Sequence, residues 1–274
     1  MLASNTVLSS DKFARHGVNP AVSGRVFAPA TDGSVRNPLA PDRRIRAVLF
    51  DVDGTLYRQR PLRLRMAVEL GTLAFTHPFR APTIWRALAE YRKAQETLRT
   101  QHDGADAGRQ IAVAAERAGL TATDVAAIVD EWMIERPLKY LPGCRAHGLV
   151  ELLEFLRAKR VRLGIFSDYP AAKKLEALGI RHHFSLVVCG GDPEVGAFKP
   201  SPRGFLAASA QWQLDPSEIL YVGDRPDADA AGAAAANMPA AILTDSHIPD
   251  STGVLAVSSL ERLRHVLDDD NNSR

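Results

Sequence analysis

Three observations predict an α/β protein, a doubly wound parallel sheet with an inserted α-helical domain. From residue 149 onward, short apolar runs alternate with helix-periodic segments, the pattern of a parallel sheet covered on both faces. Earlier, the run Ala47 to Phe50 is wholly apolar and passes into Asp51-Val52-Asp53-Gly54-Thr55, as a strand buried on both faces does where it ends. Between the two, residues 57 to about 141 carry helical periodicity and no convincing strand. A helical block between a first strand and the rest of a sheet reads as an insertion.

Composition limits the function classes. The chain of 274 residues has room for one or two domains and enough apolar content for a core. Its 34 basic and 32 acidic residues nearly balance, so bulk charge gives no support for a nucleic-acid partner. No apolar run approaches the about 18 residues of a membrane-spanning helix, so no membrane partner is expected. The N-terminal residues lack the apolar core of a signal peptide. Two cysteines, Cys144 and Cys189, have no metal or redox spacing and suit a reducing compartment, so a cytoplasmic location is expected.

Residues 1–43 are rich in Ser, Asn, Gly, Pro and Ala without periodicity, and read as a poorly ordered arm. Lys12, Arg15, Arg25 and Arg36 are basic, as in an organelle-targeting peptide. Asp11, Asp32, Pro20 and Gly24 weigh against that reading.

In the insert, Leu62, Met66, Leu70 and Leu73 recur at helical spacing. Ile84, Leu88, Tyr91 and Leu98 follow Pro82, which suits a first turn. A third helix carries Ile111, Ala114, Ala115 and Ala118 after Asp106, a candidate cap. A fourth carries Val125, Ile128, Val129 and Trp132 after Thr121, with Asp124 completing a capping-box-like pair. Arg58, Arg60, Arg63 and Arg65 read first as a solvated face, and second as a mouth attracting an anion. Trp85, Tyr91 and Trp132 read as core rather than as a substrate platform.

Leu141-Pro142-Gly143 marks the return from the insert. A helix with Leu149, Leu152, Leu153 and Leu156 on one face follows. The remaining strands are Val161 to Phe166, Leu186 to Cys189, Ile219 to Val222 and Ala240 to Leu243, separated by helices over 171–178, 201–212 and 226–236, with a last helix over 260–267. In such sheets ligands sit beyond the carboxyl ends of the strands. Asp51, Asp53, Ser167 and Asp224 all fall there.

Asp51 and Asp53 are two residues apart and face one way if the strand geometry persists, roughly 6–7 Å apart along the backbone. Paired carboxylates repel unless one is protonated or a cation lies between them. The pair suggests a metal site, an acid/base pair, or both.

The run Asp51-Val52-Asp53-Gly54-Thr55-Leu56 after an apolar strand resembles motif I of the haloacid dehalogenase superfamily, a group dominated by phosphatases. Phe166-Ser167-Asp168 resembles its motif II, Phe198-Lys199-Pro200-Ser201-Pro202 its motif III, and Val222-Gly223-Asp224-Arg225-Pro226-Asp227-Ala228-Asp229 its acidic motif IV. The resemblance spans about residues 45 to 245. It implies a Rossmannoid core from residues 44–57 and 142–274, with 58–141 as a C1-type helical cap like that of phosphoglycolate-phosphatase-like members. It also implies that Asp51 is the nucleophile and Asp53 the general acid and base. Lys199 and the Ser167 hydroxyl would hold the phosphoryl group, with Thr55 and Asp168 on the substrate side. Mg²⁺ would be held by Asp51, the Asp53 carbonyl and Asp224, with Asp229 in the outer shell. The implied substrate is a small phosphorylated metabolite and the implied assembly a monomer or homodimer.

One departure stands out. After Ser167 the family often has Asn, and here it is Asp168, an acid beside a phosphate site. In motif IV both Asp227 and Asp229 are available for the outer metal shell; Asp229 has the favoured spacing, Asp227 reads alternatively as a cap of the following helix, and Asp245 beyond the fifth strand reads as structural. The alternatives are a phosphomutase, which shares all four motifs, a haloacid dehalogenase, against which Asp53 argues, and a non-catalytic binding protein, for which a core residue should be missing.

Overall fold

A computed structural model describes residues 33–37, 39–101, 107–246 and 253–269. The N-terminal arm as far as residue 32, with its targeting reading, and the candidate cap Asp106 lie outside the described residues.

The sheet strands are β3 (Ala47–Phe50), β4 (Arg162–Ser167), β5 (Leu186–Cys189), β6 (Ile219–Gly223), β7 (Ala240–Leu243) and β8 (Val254–Val257). They form one six-stranded, all-parallel sheet in the order β5-β4-β3-β6-β7-β8. The chain winds from β3 outward through β4 and β5, then returns to the other side of β3 for β6, β7 and β8. This reversal makes β3 the switch point, where an open α/β sheet leaves a crevice. Phe50 is in register with Ile165 on one side and Val222 on the other, so the residues after these three strands share one edge.

The two faces of β3 feed two cores, as the two-residue strand period requires. Val48 and Phe50 pack with Leu149, Leu152, Leu153 and Leu156 of α6 (Leu149–Ala158), with Leu175 of α7 (Ala172–Ala177), and with Leu260, Leu263 and Leu267 of α10 (Leu260–Asp269). Ala47 and Leu49 pack with Phe205, Ala208 and Trp212 of α8 (Arg203–Trp212) and with Ala233 of α9 (Ala231–Ala235).

The regular structure among the insert's described residues is all helical: α1 (Gln59–Thr76), α2 (Ala81–Gln101), α3 (Ala107–Ala118), α4 (Ala122–Val129) and the short α5 (Arg136–Leu138), with a π-helical stretch over Asp130–Glu135 between the last two. Its own core joins Ala87, Tyr91 and Ala94 to Ile111, Ala114, Val125 and Val129. A second cluster joins Ile84, Leu88 and Trp132. The Thr121 hydroxyl accepts the Asp124 amide at 3.1 Å, which satisfies one of the unpaired donors of α4. Tyr91 and Trp132 are buried, whereas Trp85 is largely exposed. Arg58, Arg60, Arg63 and Arg65 are all exposed, in line with a solvated face.

Two features correct the sequence expectations. The arm read over 1–43 is not shapeless throughout. β1 (Val35–Asn37) and β2 (Ala40–Ile45) pair antiparallel, and Val35 is fully buried in the main core. Pro41 and three charged residues disguise β2, because a two-stranded ribbon outside the main sheet needs no apolar run and tolerates proline. The sheet also has a sixth strand, β8, whose four residues follow Gly253 at an edge.

Candidate active site

The crevice residues converge. Asp51 follows β3 directly, and its amide donates to the Val222 carbonyl of β6 at 2.9 Å. Gly54 turns the chain at φ +104°, and a Cβ there would lie 2.0 Å from Asp224 Oδ2. Only glycine lets motif I approach motif IV this closely. Thr55, fully buried, donates to Asp51 Oδ2 at 3.4 Å.

Lys199 is the hub. Its Nζ lies 2.5 Å from Asp51 Oδ1, 2.7 Å from Asp229 Oδ1 and 3.0 Å from the Tyr221 hydroxyl. All four side chains are buried. Burial opposes the Lys199 charge, and Asp51, with Tyr221 and Asp229, outweighs it and holds the pKa well above the ordinary lysine range. Burial pushes the Asp51 carboxyl up to about 8; Lys199 pulls against it, while Asp229 and Asp53 add to the rise. Burial and then Asp229 raise Asp224 to about 6.

Asp229 is fully used. Its Oδ1 accepts from Lys199 and Tyr221, and its Oδ2 accepts the amides of Asp224 and Arg225 at 3.0 and 2.9 Å. It therefore orients both the lysine and the loop that carries Asp224. Asp227, the other acid of that loop, is exposed and pairs with Arg225 instead of capping the next helix. The carboxylate oxygens of Asp51, Asp224 and Asp229 lie within 4.8 Å of one another. Asp51 and Asp224, both with raised pKa, offer hard oxygen donors that fit Mg²⁺, and Asp229, with both oxygens engaged, stands behind them.

Asp53 sits apart from this cluster. Both of its carboxylate oxygens are held by Lys174 Nζ of α7, at 2.6 and 2.7 Å, and the Tyr57 hydroxyl donates to Oδ1. Burial works to raise Asp53, and the Lys174 ammonium outweighs it, so the carboxyl stays below its usual range. The Asp53 carbonyl accepts from Gln59 Nε2 at 2.6 Å. Two carboxylates two residues apart are thus pushed in opposite directions.

Ser167 ends β4, buried, with its Oγ accepting the Tyr169 amide at 3.3 Å. Asp168, expected beside the substrate, has both oxygens engaged. Oδ1 accepts the Lys199 amide at 2.9 Å, and Oδ2 pairs with Arg99 of α2. Sequence reasoning did not find Lys174, Tyr57, Arg99, Gln59 or Tyr221. Of these, Tyr221 alone carried a signal: a tyrosine in a buried aliphatic strand needs a hydroxyl partner.

The family model of haloacid dehalogenase-like hydrolases matches residues 45–237. The chain is 32% identical to the glyceraldehyde 3-phosphate phosphatase of Methanopyrus kandleri over 71% of its own length and 82% of that protein. It is 31% identical to the phosphoglycolate phosphatase of Shigella boydii over 69% of its own length and 78% of that protein. Among solved structures, a 2-haloacid dehalogenase from Pseudomonas syringae aligns at TM-score 0.56 and 26% identity, covering 82% of this chain and 99% of that one. The chain belongs to the haloacid dehalogenase-like hydrolases.

Proposed function

We propose that this chain is a Mg²⁺-dependent phosphatase that hydrolyses a small phosphorylated metabolite through an aspartyl-phosphate on Asp51. The observation that carries the reading is the Lys199 ammonium, which holds Asp51 while Asp229 holds the lysine, at the edge that Asp224 and Ser167 share. Phosphatases among the relatives at about 30% identity support the reaction class.

In this reading Asp51 attacks phosphorus, and the ester oxygen departs as an alcohol once Asp53 has given it a proton. Asp53 then takes a proton from the water that cleaves the acyl phosphate, which regenerates Asp51 and releases inorganic phosphate. The clamp of Lys174 and Tyr57 keeps Asp53 in the carboxylate form that this second step needs. Its acid role in the first step requires that Asp53 leave Lys174 and take up a proton from solvent, which the water cleaved in the second step restores for the next turnover. Lys199 and the Ser167 hydroxyl hold phosphoryl oxygens, and losing one such preorganised donor typically costs about 10²–10³ in rate. Asp51, Asp224 and the Asp53 carbonyl would hold Mg²⁺, with Asp229 behind them. The ion supplies positive charge against a phosphomonoester that carries about −1.5 to −2 near neutral pH.

Residues 58–141 serve as the cap, excluding water and choosing the leaving group. The free thiols Cys144 and Cys189 support a cytoplasmic setting. A dehalogenase needs the nucleophile but not a second acid, and the care with which Asp53 is held favours phosphate chemistry. The test is Mg²⁺-dependent phosphate release from an aryl phosphate, followed by a panel of phosphorylated metabolites. Activity is expected in wild type and absent in Asp51→Asn, and undiminished activity in that variant would remove Asp51 as nucleophile.

A further inference from the structure

The last turns of α2 reach down to three of the four motif loops at once. Arg99 pairs with Asp168 in motif II, and both side chains are about nine-tenths buried, at 10% and 7% exposure. Asp168 in turn accepts the backbone amide of Lys199 in motif III at 2.9 Å. One turn earlier on α2, Glu96 lies 3.1 Å from Arg99 and 3.7 Å from Arg225 in motif IV, whose own amide is held by Asp229. Leu98 packs on Phe198, the residue before Lys199. Tyr91, farther up α2, stacks at a tilt against Tyr169, and Gln110 of α3 bonds both the Tyr91 carbonyl and the Tyr169 hydroxyl.

We infer that Arg99 is a positioning residue for the phosphoryl-holding lysine: through Asp168 it fixes the backbone of Lys199, so that seating the helical insert and setting the lysine are one event. This rests on the phosphatase reading above. It also explains why position 168 is an acid: the neutral amide common in the family could hold the Lys199 backbone only if its oxygen faced inward, and it could not bind a guanidinium as an ion pair.

Stability is a poor explanation of the pair. A buried ion pair gains little over well-packed apolar groups because both charges lose water. The Arg99 Nε is buried without a hydrogen-bond partner, so the guanidinium is not fully repaid even here. What the pair provides is orientation. Arg99 and Asp168 have charged ends in fixed geometry, and the second oxygen of Asp168 accepts the amide of the lysine whose ammonium pairs with Asp51.

The test is a double-mutant cycle on the full chain, with wild type, R99M, D168N and the double variant assayed for Mg²⁺-dependent release of phosphate from an aryl phosphate. R99M and D168N are each expected to lower kcat tenfold or more with KM within about twofold, and the double variant to lose no more than either alone. R99K, which keeps the charge, should recover part of the loss and guards against misfolding in R99M. A kcat equal to wild type in R99M, strictly multiplicative losses, or losses that follow the unfolded fraction would overturn the inference. Amide hydrogen exchange gives an arm independent of turnover. The Tyr169 and Lys199 amides should exchange faster in R99M, and unchanged protection overturns the inference. Absence of phosphate release by wild type would instead strike the phosphatase reading, and the exchange result would still decide whether Arg99 sets this loop.

Discussion

Lys174 grips both carboxylate oxygens of Asp53, at 2.6 and 2.7 Å, from a helix that follows the whole insert and β4, 121 residues later in the chain. The Tyr57 hydroxyl closes the other side. Asp53→Asn is therefore expected to lower kcat by about 10²–10⁴, the usual weight of a general acid or base. Lys174→Met should cost less, about tenfold, because Asp53 remains but is no longer aimed. Steady-state kinetics of both variants decide this. A Lys174 variant as fast as wild type would show that the grip has no part in turnover.

Lys199→Met should be the most damaging single change at the site. It leaves the carboxyls of Asp51 and Asp229 buried and unpaired, which in comparable pairs costs about 3–5 kcal/mol. Chemical denaturation should register that loss, and phosphate release should vanish. Lys199→Met with unchanged stability would contradict the hub described here.

Gly54→Ala tests the close approach of motif I to motif IV. The new methyl meets Asp224 Oδ2, and the residue must hold φ +104°, at a cost of about 1–3 kcal/mol for a non-glycine residue in such a region. Asp224 has to move, so Mg²⁺, which is expected to raise the melting temperature of wild type, should raise it less in the variant. A full Mg²⁺ response in Gly54→Ala would separate Asp224 from the metal.

Glu69 predicts a pH effect far from the catalytic edge. Burial alone would raise its carboxyl, but hydrogen bonds from Lys139, Tyr140 and Arg136 outweigh this and bring it down to about 2. The folded pKa is below the unfolded value, so its contribution is present above about pH 4.5 and is lost as pH falls toward 2. Acid unfolding of the insert should therefore steepen over that window, and Glu69→Gln should flatten it. A variant with the same acid profile as wild type would contradict this.

The parallel strands were legible because each is a short apolar run closed by a polar turn, and the motif residues fall at those closures. The insert was legible from helical spacing alone. The β1–β2 ribbon was not, because Arg43, Arg44 and Pro41 break the apolar pattern that a sheet interior would impose. Asp51, Asp53 and Ser167 could be placed because they fall at or just after strand ends, and Lys199, in a turn between β5 and α8, by motif alone. Lys174 and Arg99 could not. Each is one basic residue on a helix rich in them, and only the tertiary fold selects the one that meets a carboxylate. Asp168 shows the same limit: its oddity was visible, but its partner lies 69 residues away in the insert.

Whether Asp51 carries the phosphoryl group is decided by acid quench of the full chain during turnover of a radiolabelled phosphate ester with Mg²⁺, followed by peptide mapping. Label is expected on the peptide that contains Asp51, labile to base as an acyl phosphate is, and none in Asp51→Asn. Phosphate release with no label on that peptide under rapid quench, or turnover preserved in Asp51→Asn, would contradict it.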